Sequence, residues 1–163
     1  MSEDCCSTEK KELGRGQKVY LCIGSDKLVF DSLGPMTGSM LKRCSGFKHF
    51  VYGTMSEPVT ALQIETAIRF IRSFHIGAEV TVVDSAVGKN SEIGKIKCFD
   101  RGLRPALGID REMSVVGDKS IMGIVTTKDK VKNFKSNVKV QDIYDMAARV
   151  CELILSEDER ETG

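Results

Sequence analysis

Short apolar runs and amphipathic stretches alternate along the first half of the chain. Residues 18–23 are almost continuously apolar and are followed at once by Gly24, a pattern typical of a strand buried on both faces in a parallel sheet. Residues 33–44 then carry apolar positions at helical spacing, with Pro35 near the start of the segment. The pattern therefore predicts a strand followed by a helix.

The same alternation continues through two more predicted strands. Residues 49–52 and 79–83 are short β-rich runs that end in turn-forming residues, and residues 61–74 between them carry one apolar stripe at helical spacing. The order strand, helix, strand, helix, strand is a βαβαβ unit. Such a unit implies right-handed crossovers and a parallel sheet with helices on its faces.

The pattern is weaker after Gly88. Residues 94–99 and 120–125 predict strands, and an apolar stripe from Val140 onward predicts a final amphipathic helix packed on the sheet. Together these elements predict an open α/β sandwich of about five or six strands. We expect one domain over residues 18–155, with flexible polar tails at residues 1–17 and 156–163.

Composition places the chain among ordinary globular proteins. Its 163 residues, 41% hydrophobic and 29% charged, are enough to bury a core without a metal or disulfide staple. A net charge of +1 gives no field for a phosphate backbone or an anionic membrane, and no apolar run approaches the roughly 20 residues of a membrane span. We therefore expect neither nucleic acid nor membrane as a partner, and a cytoplasmic location.

The cysteines fit that location. The chain has six cysteines and no apolar export segment near its start, so we expect free thiols rather than a disulfide framework. A thiol-based sensor using Cys5 and Cys6 is a minor alternative. The two histidines, His49 and His75, form no ligand set or triad with a neighbouring Ser or Cys, so we expect no metal and no cofactor.

Acidic residues follow each of the three predicted parallel strands. Asp26 and Asp31 follow the first strand, Glu57 follows the second, and Asp84 ends the third. Because the loops at the carboxyl ends of parallel strands converge on one edge, we expect Asp31 and Asp84 to approach each other.

The predicted environments of the two aspartates differ. Asp31 lies beside the N-terminus of the first helix, whose dipole and free amides favour an anion, so we expect it to be a base. Asp84 follows an apolar strand, where desolvation and a nearby carboxylate raise its pKa, so we expect it to be an acid. Such a pair can activate a water for attack on an amide carbonyl and protonate the leaving nitrogen. The structural alternatives are an N-cap for Asp31 and an Asx-turn for Asp84.

Four further polar residues are candidates for substrate binding. The segment Gly24 to Asp26 has neither dinucleotide nor Walker spacing, so a nucleotide site is not expected there. Asp118 follows Gly117 in a predicted turn, and is an Asx-turn residue unless that turn borders the same cleft. The candidates for substrate binding are Ser25, Asp26, Glu57 and Asp118.

Five ordered motifs resemble a known family. The chain resembles the YyaC-type sporulation proteins of endospore-forming bacteria over about residues 19–155. That family resembles in turn the germination protease that degrades small acid-soluble spore proteins and, more distantly, the hydrogenase maturation endopeptidases. The motifs are residues 21–26 (LCIGSD), 31–35 (DSLGP), 52–59 (YGTMSEPV), 83–88 (VDSAVG) and 116–125 (VGDKSIMGIV).

The resemblance implies both a fold and a site. The implied fold is a phosphorylase/hydrolase-like three-layer α/β sandwich, and Asp31 and Asp84 match the two acids associated with peptide cleavage in the germination protease. This chain departs from the family pattern in having Val29 and Phe30 before the first Asp, and Thr60 where the family usually has His. No His matches the nickel-contacting one of the hydrogenase maturation enzymes.

Two functions follow as hypotheses. The first is a sporulation-associated endopeptidase that cleaves protein or peptide substrates, spore proteins among them, with both carboxylates facing one cleft. The second is a non-catalytic binding or regulatory protein of sporulation on the same fold, with carboxylates that are separated or covered and Asp31 acting as a helix cap. The sequence leaves the oligomeric state open.

Overall fold

The computed structural model describes residues 16–105, 114–133 and 137–163. Five strands form one sheet in the order β2-β1-β3-β5-β4, and four α-helices lie among them in the described ranges. The strands are β1 (Lys18–Cys22), β2 (Phe50–Tyr52), β3 (Glu79–Val87), β4 (Ile96–Phe99) and β5 (Lys119–Thr126), and the helices are α1 (Leu33–Arg43), α2 (Ile64–Phe74), α3 (Lys128–Lys132) and α4 (Val140–Thr162).

The sheet is mostly parallel, as the sequence predicts. Strand β1 pairs parallel with β2 and β3, and β3 pairs parallel with β5. Only β4, at one edge of the described sheet, runs antiparallel to its neighbour β5. The predicted open α/β sandwich of about five or six strands is therefore confirmed, and the described sheet has five.

Strand β1 is buried on both faces, and this divides the helices into two layers. Val19 and Leu21 belong to the apolar cluster that includes Ile71 of α2. Tyr20 and Cys22, on the opposite face, belong to the cluster that includes residues of α1 and α4. Because successive strand residues point to opposite faces, a continuously apolar β1 requires cover on both sides. The molecule therefore has three layers, with α2 on one side of the sheet and α1 and α4 on the other.

Helix α1 lies unusually close to the carboxyl end of β1. A Cβ atom built on Gly34 would collide with the backbone of Ile23, and one built on Gly38 would collide with the carbonyl oxygen of Gly53 and crowd Cys22. Glycine is required at both positions because backbone lies where a side chain would begin. This close approach fixes the segment that precedes α1 above the end of the sheet.

The last helix is longer than predicted. Helix α4 continues to Thr162, so the expected tail at residues 156–163 is corrected. Two acidic side chains in this segment have partners on β1 and just before β2: Lys18 Nζ lies 2.6 Å from Glu161 Oε2, and His49 Nε2 lies 2.7 Å from Asp158 Oδ1. The polar sequence reflects an exposed helix anchored by ion pairs. The expected N-terminal tail lies outside the described residues up to position 15.

None of the described helices combines the length and the apolar character needed to cross a bilayer.

Gly38→Ala tests the close packing of α1. Alanine favours an exposed helix over glycine by about 1 kcal/mol, but here we expect the free energy of unfolding to fall by about 2–4 kcal/mol because the new Cβ meets backbone atoms. Chemical denaturation measures the change. The control is Lys42→Ala in the same helix, which is exposed and should change stability by less than about 0.5 kcal/mol. Equal stability of Gly38→Ala and the wild type would contradict the close packing.

Candidate functional site

The chain reverses its direction across the sheet between β1 and β3. The connection that leaves β1 passes through α1 to β2 on one side, and the connection that leaves β3 leads to β4 and β5 on the other side. Where neighbouring parallel strands send their connections in opposite directions, a crevice opens at their carboxyl ends, and open α/β sheets bind ligands there. Asp31 lies in the first connection and Asp84 lies in β3, so the topology brings both to this crevice.

Asp31 ends a short 3-10 turn, Val29–Asp31, immediately before α1. The turn contacts β3, and the backbone of Asp31 is held on both sides: its amide donates to Leu28 O at 2.9 Å and its carbonyl accepts from Ser25 N at 2.9 Å. The N-cap residue of α1 is Ser32, and no side-chain cap is formed there. The structural alternative that made Asp31 the helix cap is therefore wrong.

Asp84 is nearly covered. It is 5% exposed and lies on the same face of β3 as Val80 and Val82, beyond the apolar part of the strand. Its Oδ1 atom accepts a hydrogen bond of 2.8 Å from the backbone amide of Ser85. Across the ladder it pairs with Met122 of β5. The carboxyl group is thus buried and receives one hydrogen bond from a backbone amide, that of Ser85.

Both carboxyl groups hold their protons more tightly than an ordinary aspartate. Burial raises the pKa of Asp31 to about 6. Burial raises the pKa of Asp84 well above its usual range, the charge of Asp31 raises it further, and the Ser85 amide lowers it. The turn that carries Asp31 packs against β3, which carries Asp84, and this contact accounts for the effect of one charge on the other.

The sequence-based expectation for the pKa of Asp31 had the wrong direction. Proximity to the N-terminus of α1 favours the anion, but such an effect is typically about 0.3–1 kcal/mol and desolvation of the half-buried carboxyl exceeds it. Asp84 is more deeply buried than Asp31, and the charge of Asp31 raises the pKa of Asp84 further, so the two carboxyl groups lie in different environments. Two carboxyl groups whose environments separate their pKa values can serve as an acid and a base in one site.

Three of the four candidate binding residues lie on loops at this edge. Ser25 is half-buried, and its amide contacts the Asp31 carbonyl. Asp26 is exposed next to it. Glu57 is exposed on the loop after β2, and that loop returns to β1 where Gly24 N donates to Val59 O at 3.0 Å.

Asp118 lies elsewhere. It precedes β5, which runs parallel to β3, so it sits at the amino ends of the strands and away from the crevice. Its Oδ1 atom accepts from Arg72 Nη2 at 2.9 Å, and its Oδ2 atom accepts from Val80 N at 2.8 Å. The structure therefore corrects its assignment as a substrate-binding residue: the carboxylate joins α2 to the start of β3.

Ser85 is a site residue that sequence reasoning missed. It is 3% exposed, and its hydroxyl is the one buried side-chain polar atom without a hydrogen-bond partner in the described ranges. Its backbone amide also donates the hydrogen bond that Asp84 Oδ1 accepts. The signal in the sequence was a second polar residue, directly after Asp84, inside an otherwise buried strand.

Both histidines and the buried cysteines Cys22 and Cys151 have structural surroundings. Nε2 of His75 lies 2.7 Å from the Tyr52 hydroxyl, and His49 bonds to α4. Cys22 is fully buried, and burial raises the pKa of the Cys151 thiol to about 11, which keeps it protonated. Within residues 16–105, 114–133 and 137–163, no group of three or more His, Cys, Asp or Glu side chains is arranged to hold a metal. Cys5 and Cys6 lie outside the described residues.

Comparison with known proteins gives a family and one relative. Residues 3–153 match the family described as "Protein of unknown function (DUF1256)". The chain is 34% identical over 130 residues to the uncharacterized protein YyaC of Bacillus subtilis (strain 168), a match covering 79% of this chain and 63% of that protein. This chain therefore spans less than two thirds of the length of that relative.

A solved structure gives a weaker likeness. The chain is similar to the NiFe hydrogenase maturation protease HycI from Thermococcus kodakarensis KOD1, with a TM-score of 0.45 and 16% identity. The match covers 88% of this chain and 94% of that one. Because the likeness is weak, the function proposed below rests on the side chains of this chain.

Asp31→Asn should stabilise the protein at neutral pH. The folded state binds the Asp31 proton more tightly than the unfolded state, so this group contributes stability below about pH 4 that is lost as the pH rises through about 6. The amide side chain of asparagine does not ionise, so the variant has no charged group to bury at this position. Allowing for solvent screening, we expect it to raise the free energy of unfolding by about 1–2 kcal/mol at pH 7, with the gain fading towards pH 4.

Urea denaturation at several pH values measures this difference. The matched control is Asp129→Asn, an exposed carboxylate on α3, which should change stability by less than about 0.5 kcal/mol. A gain for Asp31→Asn that is independent of pH would contradict the burial of an ionisable group at this position.

Proposed function

This chain belongs to the DUF1256 family of proteins of unknown function, and we propose that it is a peptidase in which Asp31 and Asp84 form the catalytic acid–base pair. The observation that carries the proposal is the pairing of two interacting carboxyl groups with different pKa values at the crevice between β1 and β3. Two carboxylates placed together are costly in free energy unless they share protons, and such pairs recur where hydrolysis requires an acid and a base together.

The proposed reaction uses both protonation states. Asp31 removes a proton from a water molecule as the water oxygen bonds to the carbonyl carbon of the substrate, while Asp84 gives its proton to the carbonyl oxygen. The tetrahedral intermediate then breaks at its carbon–nitrogen bond. The leaving nitrogen takes the proton held by Asp31, and a hydroxyl of the intermediate returns a proton to Asp84 as the new carboxylic acid forms. Both aspartates are thereby restored.

The substrate class follows from the chemistry and from the resemblance. An aspartate pair that shares a proton suits amide hydrolysis, so the substrate is a protein or a peptide. The resemblance to sporulation proteins and to the germination protease supports a role in sporulation, with spore proteins as the first substrates to test. Ser25, Asp26 and Glu57 lie on the loops at this edge and are the candidates for contact with the substrate backbone.

One observation favours the alternative of a non-catalytic binding or regulatory protein. Asp84 is 5% exposed, so a substrate carbonyl can reach it only from the side of Asp31 or after a small opening of the crevice. A buried carboxylic acid that stays protonated can instead act as a structural hydrogen-bond donor. Cleavage assays distinguish the two functions.

Loss of cleavage in two variants tests the proposal. We expect Asp31→Asn and Asp84→Asn each to lower the rate of peptide cleavage by about a thousand-fold or more, because each removes one proton-transfer group while preserving side-chain shape. Unfolded casein and isolated spore proteins serve as substrates, and mass spectrometry locates the cleaved bonds. Asp129→Asn is the control and should cleave at the wild-type rate. Absence of cleavage by the wild type, or full activity in both aspartate variants, would favour the binding function.

The pH dependence of cleavage should follow the two carboxyl groups. Because Asp31 must be ionised, kcat/KM should rise about tenfold per pH unit below about pH 6 and level off above it. At higher pH, the rate should fall as Asp84 loses its proton. Initial rates from pH 4 to pH 9 measure the profile. An acid limb centred near pH 4 would show that Asp31 is not the base.

A further inference from the structure

A cavity of about 480 Å³ lies on the face of the sheet that α2 covers. Met122 lines it and pairs with Asp84 in the ladder between β3 and β5. Ser120, two residues earlier on β5, also lines the cavity. Residues two apart on a strand share a face and lie about 7 Å apart, so the cavity extends along the sheet away from Asp84.

Two arginines give this cavity a positive charge. Arg101 and Arg104 line it, and both are exposed. The guanidinium of Arg101 lies 5.3 Å from the centre of the Phe99 ring, a distance at which the ring attracts and orients the cation. Of the carboxylates in the described ranges, none forms an ion pair with either arginine.

Apolar side chains form the rest of the wall. Leu103 is buried, and Val115 and Met122 contribute further hydrocarbon surface. A cavity that combines two guanidinium groups with apolar walls suits a ligand that has a carboxylate at the end of a short hydrocarbon stem. A free lysine or arginine side chain would be repelled there.

The cavity is separate from the reacting pair. Neither Asp31 nor Asp84 lines it. The arginines are therefore placed to bind a part of the ligand other than the reacting amide.

We propose that Arg101 and Arg104 form a specificity subsite that binds an acidic side chain of the substrate peptide. This inference rests on the proposed function, because it takes the peptide bond at Asp31 and Asp84 as its reference point. An extended peptide advances about 3.3 Å per residue, so the acidic residue lies two or three positions from the bond that is cleaved. Acidic peptides are the substrate class, and basic ones are disfavoured.

The test uses binding to the Asp31→Asn variant, which is not expected to cleave. The probes are terminally blocked octapeptides of alanine and serine in which one glutamate is moved through the eight positions, each with a matched glutamine peptide. We expect the glutamate peptide to bind at least about tenfold tighter than its glutamine partner at one or two positions, and added salt to reduce that preference. Fluorescence anisotropy measures both affinities.

Charge-neutral variants assign the preference to the cavity. Adding Arg101→Gln and Arg104→Gln together should abolish the preference for glutamate while leaving the affinity for glutamine peptides unchanged. The control is Arg43→Gln, an exposed arginine in the last turn of α1, which should keep the preference. Equal binding of glutamate and glutamine peptides, no binding of any peptide, or a preference that survives in the double variant would each overturn the subsite.

The subsite and the peptidase can fail separately. If the wild type cleaves peptides without regard to glutamate, the subsite is wrong and the peptidase stands. If the glutamate preference depends on the two arginines but no peptide is cleaved, the chain is a binder of acidic peptides and the peptidase is wrong.

Discussion

The requirement that the central strands be covered on both faces determines the arrangement of this molecule. Strands β1 and β3 carry buried side chains at successive positions, so each strand has a buried surface on both faces of the sheet. One helical layer cannot bury such a surface. Helix α1 covers one face on the way from β1 to β2, and α2 covers the other on the way from β2 to β3. The connections that leave β1 and β3 run to opposite sides of the sheet, and the crevice with the two aspartates lies where they diverge.

Within that crevice, the competition between a helix N-terminus and desolvation sets the chemistry. The amides at the start of α1 favour an anion by about 0.3–1 kcal/mol, whereas a pKa raised to about 6 corresponds, after allowance for solvent screening, to about 1–2 kcal/mol in the opposite direction. Desolvation prevails because the glycines of α1 draw the helix down onto β1 and leave Asp31 half-buried. The packing of α1 against β1 therefore tunes the acidity of a residue that precedes the helix.

Most of the fold was predictable from local patterns in the sequence. The run at residues 18–23 and the helical stripe at residues 61–74 each depend on contacts with one layer, so hydrophobic periodicity finds them. The convergence of Asp31 and Asp84 was predictable too, because it follows from parallel topology alone.

Other features depend on contacts that periodicity does not encode. The C-terminal part of α4 is anchored by Lys18, and the role of Asp118 is set by Arg72. Both partners lie on distant elements, and a polar segment of sequence does not reveal whether such partners exist. The pKa of Asp31 depends on how closely two backbones approach. The arginine cavity lies between β5 and the paired residues Leu103 and Val116, which are brought together only in three dimensions.

The anchoring of α4 to the first strands has a consequence for the order in which the protein folds. The hydrogen bond between His49 and Asp158 joins residues 109 positions apart, and Val150 and Ile154 of the same helix cover Tyr20 and Cys22. A chain emerging from the ribosome can form the βαβαβ unit early, but one face of its first strand is covered only in part, by α1, until residues 140–162 have been synthesised. Contacts of such long sequence separation form late and slow folding. During synthesis, the face under α4 is therefore the surface that a chaperone would have to protect.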